Sequence, residues 1–358
     1  MLKTFYHLSF KNFLICFSIE LNSDMNIFKT IFYFLFASFF LSCNTPADSP
    51  YLPITFNKTT TMSGIGRASA VAFVIDGKGY VALGRTAVRS GVLKDCWQYD
   101  PNKGDSCWKR KADFPGIARV KATAAVVNGK AYVGLGFNIA LGVYNTDACL
   151  KDFWMYDPIT DTWTQKANFP SNYTDACGCF VVNNEIYVTS GMDGVGFENE
   201  VWKYIPVEGQ PGTWVRLNDF SGRARAGGIA ITDGEHIYFG TGYLTFNAND
   251  WWEYLPASDS WSQRKNMPDN GRENSVSLTI NNRFFISTGR HFGGNMTGGE
   301  VKSDILEYDV VRNVWYERGN IPASGRENAI AFTLNGKGYI GFGENDTQIL
   351  NDFWSFEP

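Results

Sequence analysis

Charge and histidine are both scarce in this chain. Charged residues are 19 % of 358, and the formal net charge is −4. No Lys/Arg run is long enough to act as a nucleic-acid surface, so no nucleic-acid partner is expected. Of three histidines, only His236 and His291 lie beyond residue 43. There is no phosphate-cradling glycine loop, no nucleophile–His–acid set and no cluster with metal-ligand spacing, so no cofactor and no metal are expected. Nor does any apolar run reach the ~20 residues that a permanent membrane helix needs. What the chain has in quantity is aromatics, at 16 %, and 36 glycines, a mixture that suits a β protein with tight turns.

The longest apolar run, "IFYFLFASFFL" from Ile31 to Leu41, is 11 residues long and is followed by Ser42-Cys43. Its layout is that of a secretory signal. The segment "FFLSC" resembles a bacterial lipobox, in which Cys43 is lipidated and becomes the first mature residue; Phe40 stands where leucine is usual. Cleavage near Ser42 to give a soluble secreted protein is the alternative. Met25 alone starts a signal of normal length, so residues 1–24 read either as an upstream misread start or as an unusual extension. The expected division is 1–43 signal and lipobox, 44–51 tether, and 52–358 folded domain. The expected location is the cell envelope of a Gram-negative-type bacterium, as an outer-membrane lipoprotein facing the periplasm or the surface.

Export bears on Cys96, Cys107, Cys149, Cys177 and Cys179. Cys96 precedes Trp97 and Cys107 precedes Trp108 on what read as paired strands, so a Cys96–Cys107 disulfide is expected. The pairing of Cys149, Cys177 and Cys179 stays open. In Cys177-Gly-Cys179, the spacing fits two small core side chains better than a redox motif.

Internal periodicity organises the rest. The aromatic of "GKGYVALG" recurs as Tyr80, Tyr132, Tyr187, Tyr238, Phe285 and Tyr339, in steps of 52, 55, 51, 47 and 54 residues. Four residues after each stands a glycine: Gly84, Gly136, Gly191, Gly242, Gly289 and Gly343. A second series runs Trp97, Trp154, Trp202, Trp252, Leu306 and Trp354, and a third Trp108, Trp163, Trp214, Trp261 and Trp315. Each unit alternates apolar and small residues with period two and breaks at turn signals such as Asp76-Gly77. Four strands per unit, A to D, at a period near 50, indicate the blades of a β-propeller. The sixth unit lacks strand D. Phe56 stands eleven residues before Arg67, as Trp108 stands eleven before Arg119, so residues of about 52–62 are expected to supply the missing strand and close the ring.

Over nearly all of the chain past residue 43 this pattern resembles the kelch repeat, most closely in "NGKAYVGLG", "KDFWMYDPITDTWTQKANFP" and "NGKGYIGFG". The resemblance implies an all-β, six-bladed propeller with four antiparallel strands per blade. One departure stands out. Where the family has a Gly-Gly doublet after strand B, this chain has one glycine preceded by Leu83, Leu135, Ser190, Thr241, Thr288 or Phe342.

An arginine stands thirteen residues before each strand-B aromatic, as Arg67, Arg119, Arg225, Arg272 and Arg326, with Thr174 the exception. An acid opens every strand C: Asp95, Asp152, Glu200, Asp250, Asp304 and Asp352. Starts of A and C lie on one face of the disc, about 9–10 Å apart, which an arginine can span. A structural arginine–acid ladder is one reading. The other is a ring of ligand-binding arginines at the channel mouth, with Glu273 and Glu327 beside two of them and Asp175 in the same slot. Arg85, Phe137, Tyr243, Arg290 and Glu344 follow the repeat glycines and are further ligand-binding candidates, flanked by B–C loops that do not resemble one another.

Two functions compete on this scaffold. Kelch propellers most often present a loop face to a protein or glycan, which implies a lipid-anchored binding module. The six-bladed sialic acid mutarotases that it resembles are periplasmic enzymes with Arg and Glu at the channel mouth. That likeness offers Arg272/Glu273 or Arg326/Glu327 as a catalytic pair. The copper-bearing kelch enzymes of galactose oxidase type need two histidines, and only His291 lies on the right face.

Overall fold

The structure, a computed structural model, describes residues 50–62, 66–87, 91–142, 145–292 and 299–358. The apolar leader, Met25 and Cys43 lie outside the described residues. The rest is a ring of six four-stranded antiparallel sheets. Blade 1 is Val71–Ile75, Lys78–Ala82, Cys96–Tyr99 and Trp108–Lys111; blade 2 is Thr123–Val127, Lys130–Gly134, Phe153–Asp157 and Thr162–Lys166. Blade 3 is Gly178–Val182, Glu185–Met192, Phe197–Ile205 and Thr213–Arg216; blade 4 is Ile229–Thr232, Ile237–Gly240, Trp251–Leu255 and Ser260–Gln263. Blade 5 is Val276–Ile280, Arg283–Ser287, Asp304–Asp309 and Val314–Asn320, with a small ribbon of Arg290–His291 against Glu300–Val301. Blade 6 is Ile330–Leu334, Lys337–Gly341 and Phe353–Glu357, and its fourth strand is Thr55–Lys58.

Local chemistry explains the hairpins. Asp76-Gly77, Asn128-Gly129, Asn183-Asn184, Asn281-Asn282 and Asn335-Gly336 carry two positive φ angles each. That is the tight turn whose twist matches paired strands, and Asn, Asp and Gly are the residues that tolerate it. Strand A then alternates buried and half-buried positions, as in Val71–Ile75.

The ring closes in the register that the aromatic spacing predicts. Tyr99 faces Trp108, Tyr156 faces Trp163, and Tyr204, Tyr254 and Tyr308 face Trp214, Trp261 and Trp315. Phe356 faces Phe56 in the same place, with ring centroids 5.0 Å apart. The outer tryptophans also join neighbours: indole N–H groups of Trp108, Trp163, Trp214 and Trp315 donate to the carbonyls of Thr60, Ala112, Ala167 and Lys265.

The cysteines require a correction. Cys96 and Cys107 are both free and buried. Cys96 pairs with Lys111, whereas Cys107 precedes the Trp108–Tyr99 pair at the opposite end of the hairpin. Four strand residues separate the two levels, roughly 13 Å at the usual rise, beyond the ~7 Å that a disulfide tolerates. They also serve different cores, Cys96 packing toward blade 2 and Cys107 toward blade 6. Cys149, Cys177 and Cys179 are free as well.

Candidate functional site

The five ladder arginines are buried, each no more than 3 % exposed. Arg67, Arg225, Arg272 and Arg326 each give both terminal nitrogens to one carboxylate, of Asp95, Asp250, Asp304 and Asp352. Arg119 donates to Asp152 at 2.7 Å. One nitrogen of each also donates to the carbonyl of the residue before the repeat glycine, Leu83, Leu135, Thr241, Thr288 or Phe342. The acids in turn accept the strand-C indole N–H in blades 1, 2, 4 and 6. Burial alone pushes the carboxyls of Asp95 and Asp352 up, but the arginine and indole donors outweigh it and hold both below the usual range. These guanidiniums are rivets that tie strand A to strand C. They leave no fork facing the channel, and the sequence pairs Arg272/Glu273 and Arg326/Glu327 divide between two layers.

One residue further along strand A the chain reaches the mouth. Ala68, Val120, Asp175, Ala226, Glu273 and Glu327 form backbone bridges with Arg85, Phe137, Met192, Tyr243, Arg290 and Glu344, the residues after the repeat glycines. Every one of those glycines donates its N–H to the next blade, to the carbonyls of Arg119, Thr174, Arg225, Arg272, Arg326 and Arg67 in turn, closing a belt around the axis. All six have positive φ, and a Cβ on Gly84 meets the Ala68 carbonyl at 2.6 Å. The next position, Ser69, Lys121, Ala176, Gly227, Asn274 and Asn328, is left-handed in every blade and forms a second, inner set of amide links. Below it a channel cavity of about 190 Å³ is lined by small strand-A residues, among them Ala70, Ala72, Ser275, Ser277, Ala329 and Ala331.

The mouth has two unlike halves. Across blades 5, 6 and 1 it is an ionic mesh. Arg290 donates to Glu327 at 2.5 Å and to Asp346 at 2.7 Å, Asn274 donates to Glu327, Asn328 donates to Glu344, and Arg85 pairs with Glu344. Across blades 3 to 5 it is aromatic: Tyr243 sits between Phe197 and Phe292 at centroid distances of 6.0 and 6.1 Å, and Arg290 lies over Phe292. Phe137 is buried against Val120 and Ala148 and supports the blade 2 loop.

Between the halves stand three groups of altered acidity. Glu273, 8 % exposed, is pushed by burial up to about 7; Lys121 and Arg290 pull it down, and Glu327 and Asp175 push it further up. Asp175, 7 % exposed, is raised by burial despite Lys121, and its Oδ1 finds no hydrogen-bond partner among the described residues. Burial alone depresses the Lys121 ammonium, but Asp175, Glu273, Glu327 and Glu344 outweigh it and raise its pKa. Strongly perturbed groups gathered in a concave site are candidates for proton transfer, although structural ion-pair networks shift acidity too. Among the described residues no three His, Cys, Asp or Glu side chains are arranged to hold a metal. Lys121, Phe197 and Phe292 are the residues sequence reasoning missed. The signal for Lys121 was its slot, two residues past each ladder arginine.

Comparisons with known proteins agree with the fold. No protein-family model matches the chain. A kelch domain-containing protein of Vibrio cholerae is 26 % identical over 293 residues, covering 80 % of this chain and 72 % of its own length. The N-acetylneuraminate epimerase of Pasteurella multocida is 26 % identical over 256 residues, covering 68 % of this chain and 57 % of that protein. The solved structure of YjhT superposes with a TM-score of 0.68 at 16 % identity, covering 82 % of this chain and 95 % of that one.

Proposed function

Because the chain is a six-bladed β-propeller of the kelch type, we propose that its channel mouth is a sugar site at which the protein exchanges anomers by acid–base catalysis. The observation that carries this reading is Glu273, held near neutrality on the inner wall beside Lys121. A pure interaction scaffold needs no proton-transfer group at its axis. The relatives named N-acetylneuraminate epimerases support the same class of chemistry.

The step is a ring opening. Protonated Glu273 gives its proton to the ring oxygen as the C–O bond to the anomeric carbon breaks, and Asp175 takes the proton of the anomeric hydroxyl, leaving a carbonyl. Rotation and the reverse transfers close the ring on the other face. Asp175 and Glu273 stand two blades apart in the ring of bridges at the mouth. An acid with a pKa near the working pH is the efficient choice for such a transfer. The aromatic half offers Phe197, Tyr243 and Phe292 to the C–H face of a sugar, and the ionic half faces its hydroxyls. Export and tethering through Cys43 belong to the same proposal, supported by the apolar run Ile31 to Leu41.

Anomer exchange read by NMR, with N-acetylneuraminate, N-acetylmannosamine and galactose, tests it. The protein is expected to accelerate exchange of at least one sugar, and Glu273→Gln to lower that rate by about 100-fold or more. A protein that adds nothing to the buffer rate with any of the three overturns the reading.

A further inference from the structure

The aromatic half of the mouth does not end at Tyr243. Ala226 and Tyr243 are bridged in the mouth ring of blade 4, and the chain runs outward from both ends of that bridge. Three residues before Ala226 stands Arg223, and three residues after Tyr243 stands Phe246. Neither lies more than about 10 Å from its bridge residue, since three residues of chain reach no further. There the two arms meet again: the Arg223 guanidinium lies over the Phe246 ring, 5.3 Å from its centroid.

Both arms are held from behind. Tyr243 bridges Asn247, and the Leu244 N–H donates to the Phe246 carbonyl at 3.2 Å, which folds residues 243–247 into a tight hairpin. The Arg223 carbonyl accepts from the side chain of the buried Arg225 at 2.9 Å. In this hairpin Leu244 is buried while the larger Phe246 is 49 % exposed. Arg223 is exposed too, and its guanidinium makes no hydrogen bond or ion pair among the described residues. At the same two positions blades 2, 3 and 6 carry Ile117 and Ala140, Asn172 and Val195, and Ser324 and Thr347. Of the four blades in which both positions are described, only blade 4 joins a cation to an aromatic.

A single sugar at the axis leaves this pair uncovered. An exposed phenyl ring gains by being covered with the C–H face of a pyranose. The guanidinium fork beside it offers donors to that sugar's hydroxyls or to its carboxylate. We infer that Phe246 and Arg223 form an outer subsite, where the second sugar of an oligosaccharide stacks while its reducing sugar occupies the mouth. This rests on the sugar-site reading above and extends it to reducing oligosaccharides, whereas the epimerase relatives are named for a single sugar. A second ring linked to the first binds at high effective concentration, so even a small platform adds affinity.

Matched monomers and dimers make the test: N-acetylglucosamine with diacetylchitobiose, galactose with galactobiose, and N-acetylneuraminate with its dimer. Binding is read by saturation-transfer NMR and calorimetric titration, apart from anomer exchange. In at least one pair the dimer is expected to bind about tenfold or more tightly than its monomer. Phe246→Ala and Arg223→Ala are each expected to shrink that gain to about twofold or less, and Phe246→Tyr to keep it. Thermal unfolding checks that these surface variants fold as the parent does. Dimers no tighter than monomers in all three pairs overturn the inference, as does a gain that survives Phe246→Ala. Monomer exchange without a dimer gain removes the outer subsite and leaves the mouth reading standing. A dimer gain without exchange does the reverse, and no binding by any of the six sugars removes both.

Discussion

Thr241 and Thr288 are buried threonines at φ 58° and 63°, and neither hydroxyl finds a partner among the described residues. A β-branched residue is an outlier in that region of the backbone. They hold it because the following glycine must turn its N–H into the inter-blade belt and their own carbonyls must receive Arg225 and Arg272. The doublet glycine missing from the sequence is thus a matter of backbone strain. Relief of the left-handed strain and of two unpartnered hydroxyls outweighs the lost methyls and the added chain entropy of glycine. The double variant Thr241→Gly/Thr288→Gly is expected to gain about 1–2 kcal/mol, raising Tm by roughly 2–4 °C in calorimetry. A lower Tm refutes the account. At this scale the arginine rivets were legible, since a fixed spacing and a facing acid suffice to find them. Which side chains face the axis was not, because Lys121 acquires its meaning from Asp175, Glu273, Glu327 and Glu344, which the chain brings in from three other blades.

At the scale of the element, the strand Thr55–Lys58 joins the two ends of the described chain. Its register against Phe353–Glu357 was readable, because one aromatic eleven residues before an arginine locates it. Its anchorage was not. Tyr51 lies over Arg283 and Arg318 at 4.3 and 5.0 Å, both arginines hold the buried Glu307, and Arg318 also donates to the Leu52 carbonyl at 2.9 Å. The closing segment is therefore clasped by blade 5 as well as paired in blade 6. Deleting everything before Thr59 removes both contacts and bares the edge of Phe353–Glu357. Such a chain is expected to melt at least 10 °C lower and to self-associate in size-exclusion chromatography. A truncated protein that stays monomeric with an unchanged Tm shows that the clasp is dispensable. The expected disulfide failed at this same scale: two Cys-Trp dipeptides on paired strands look equivalent until the register places them at opposite ends of the hairpin.

For the molecule as a whole, rivets and mouth pull stability in opposite directions with pH. Asp95 and Asp352 have depressed pKa values, so what they contribute is present above the ordinary carboxylate range and lost as pH falls through their folded values. Glu273 has the reverse sign. Its carboxyl is raised from 4.5 to about 7, so the folded state binds more proton than the unfolded chain between those values, and stability falls as pH rises across that window. The groups that face it set the size of the effect: burial leads, Lys121 and Arg290 oppose, and Glu327 and Asp175 add. Asp175 is raised too and tilts the curve the same way, while the raised Lys121 stays charged throughout. A shift of this size is worth about 3 kcal/mol at most. The stability maximum is therefore expected on the acid side, near pH 4.5–5.5. Glu273→Gln removes the charge that burial disfavours and keeps a side chain of nearly the same shape. Its Tm is expected to match that of the parent near pH 4.5 and to exceed it by about 2–5 °C at pH 8. Thermal unfolding of both proteins across that range reads the difference directly. Parallel curves mean that Glu273 ionises as it does in water, and the proton-transfer role assigned to it fails with them.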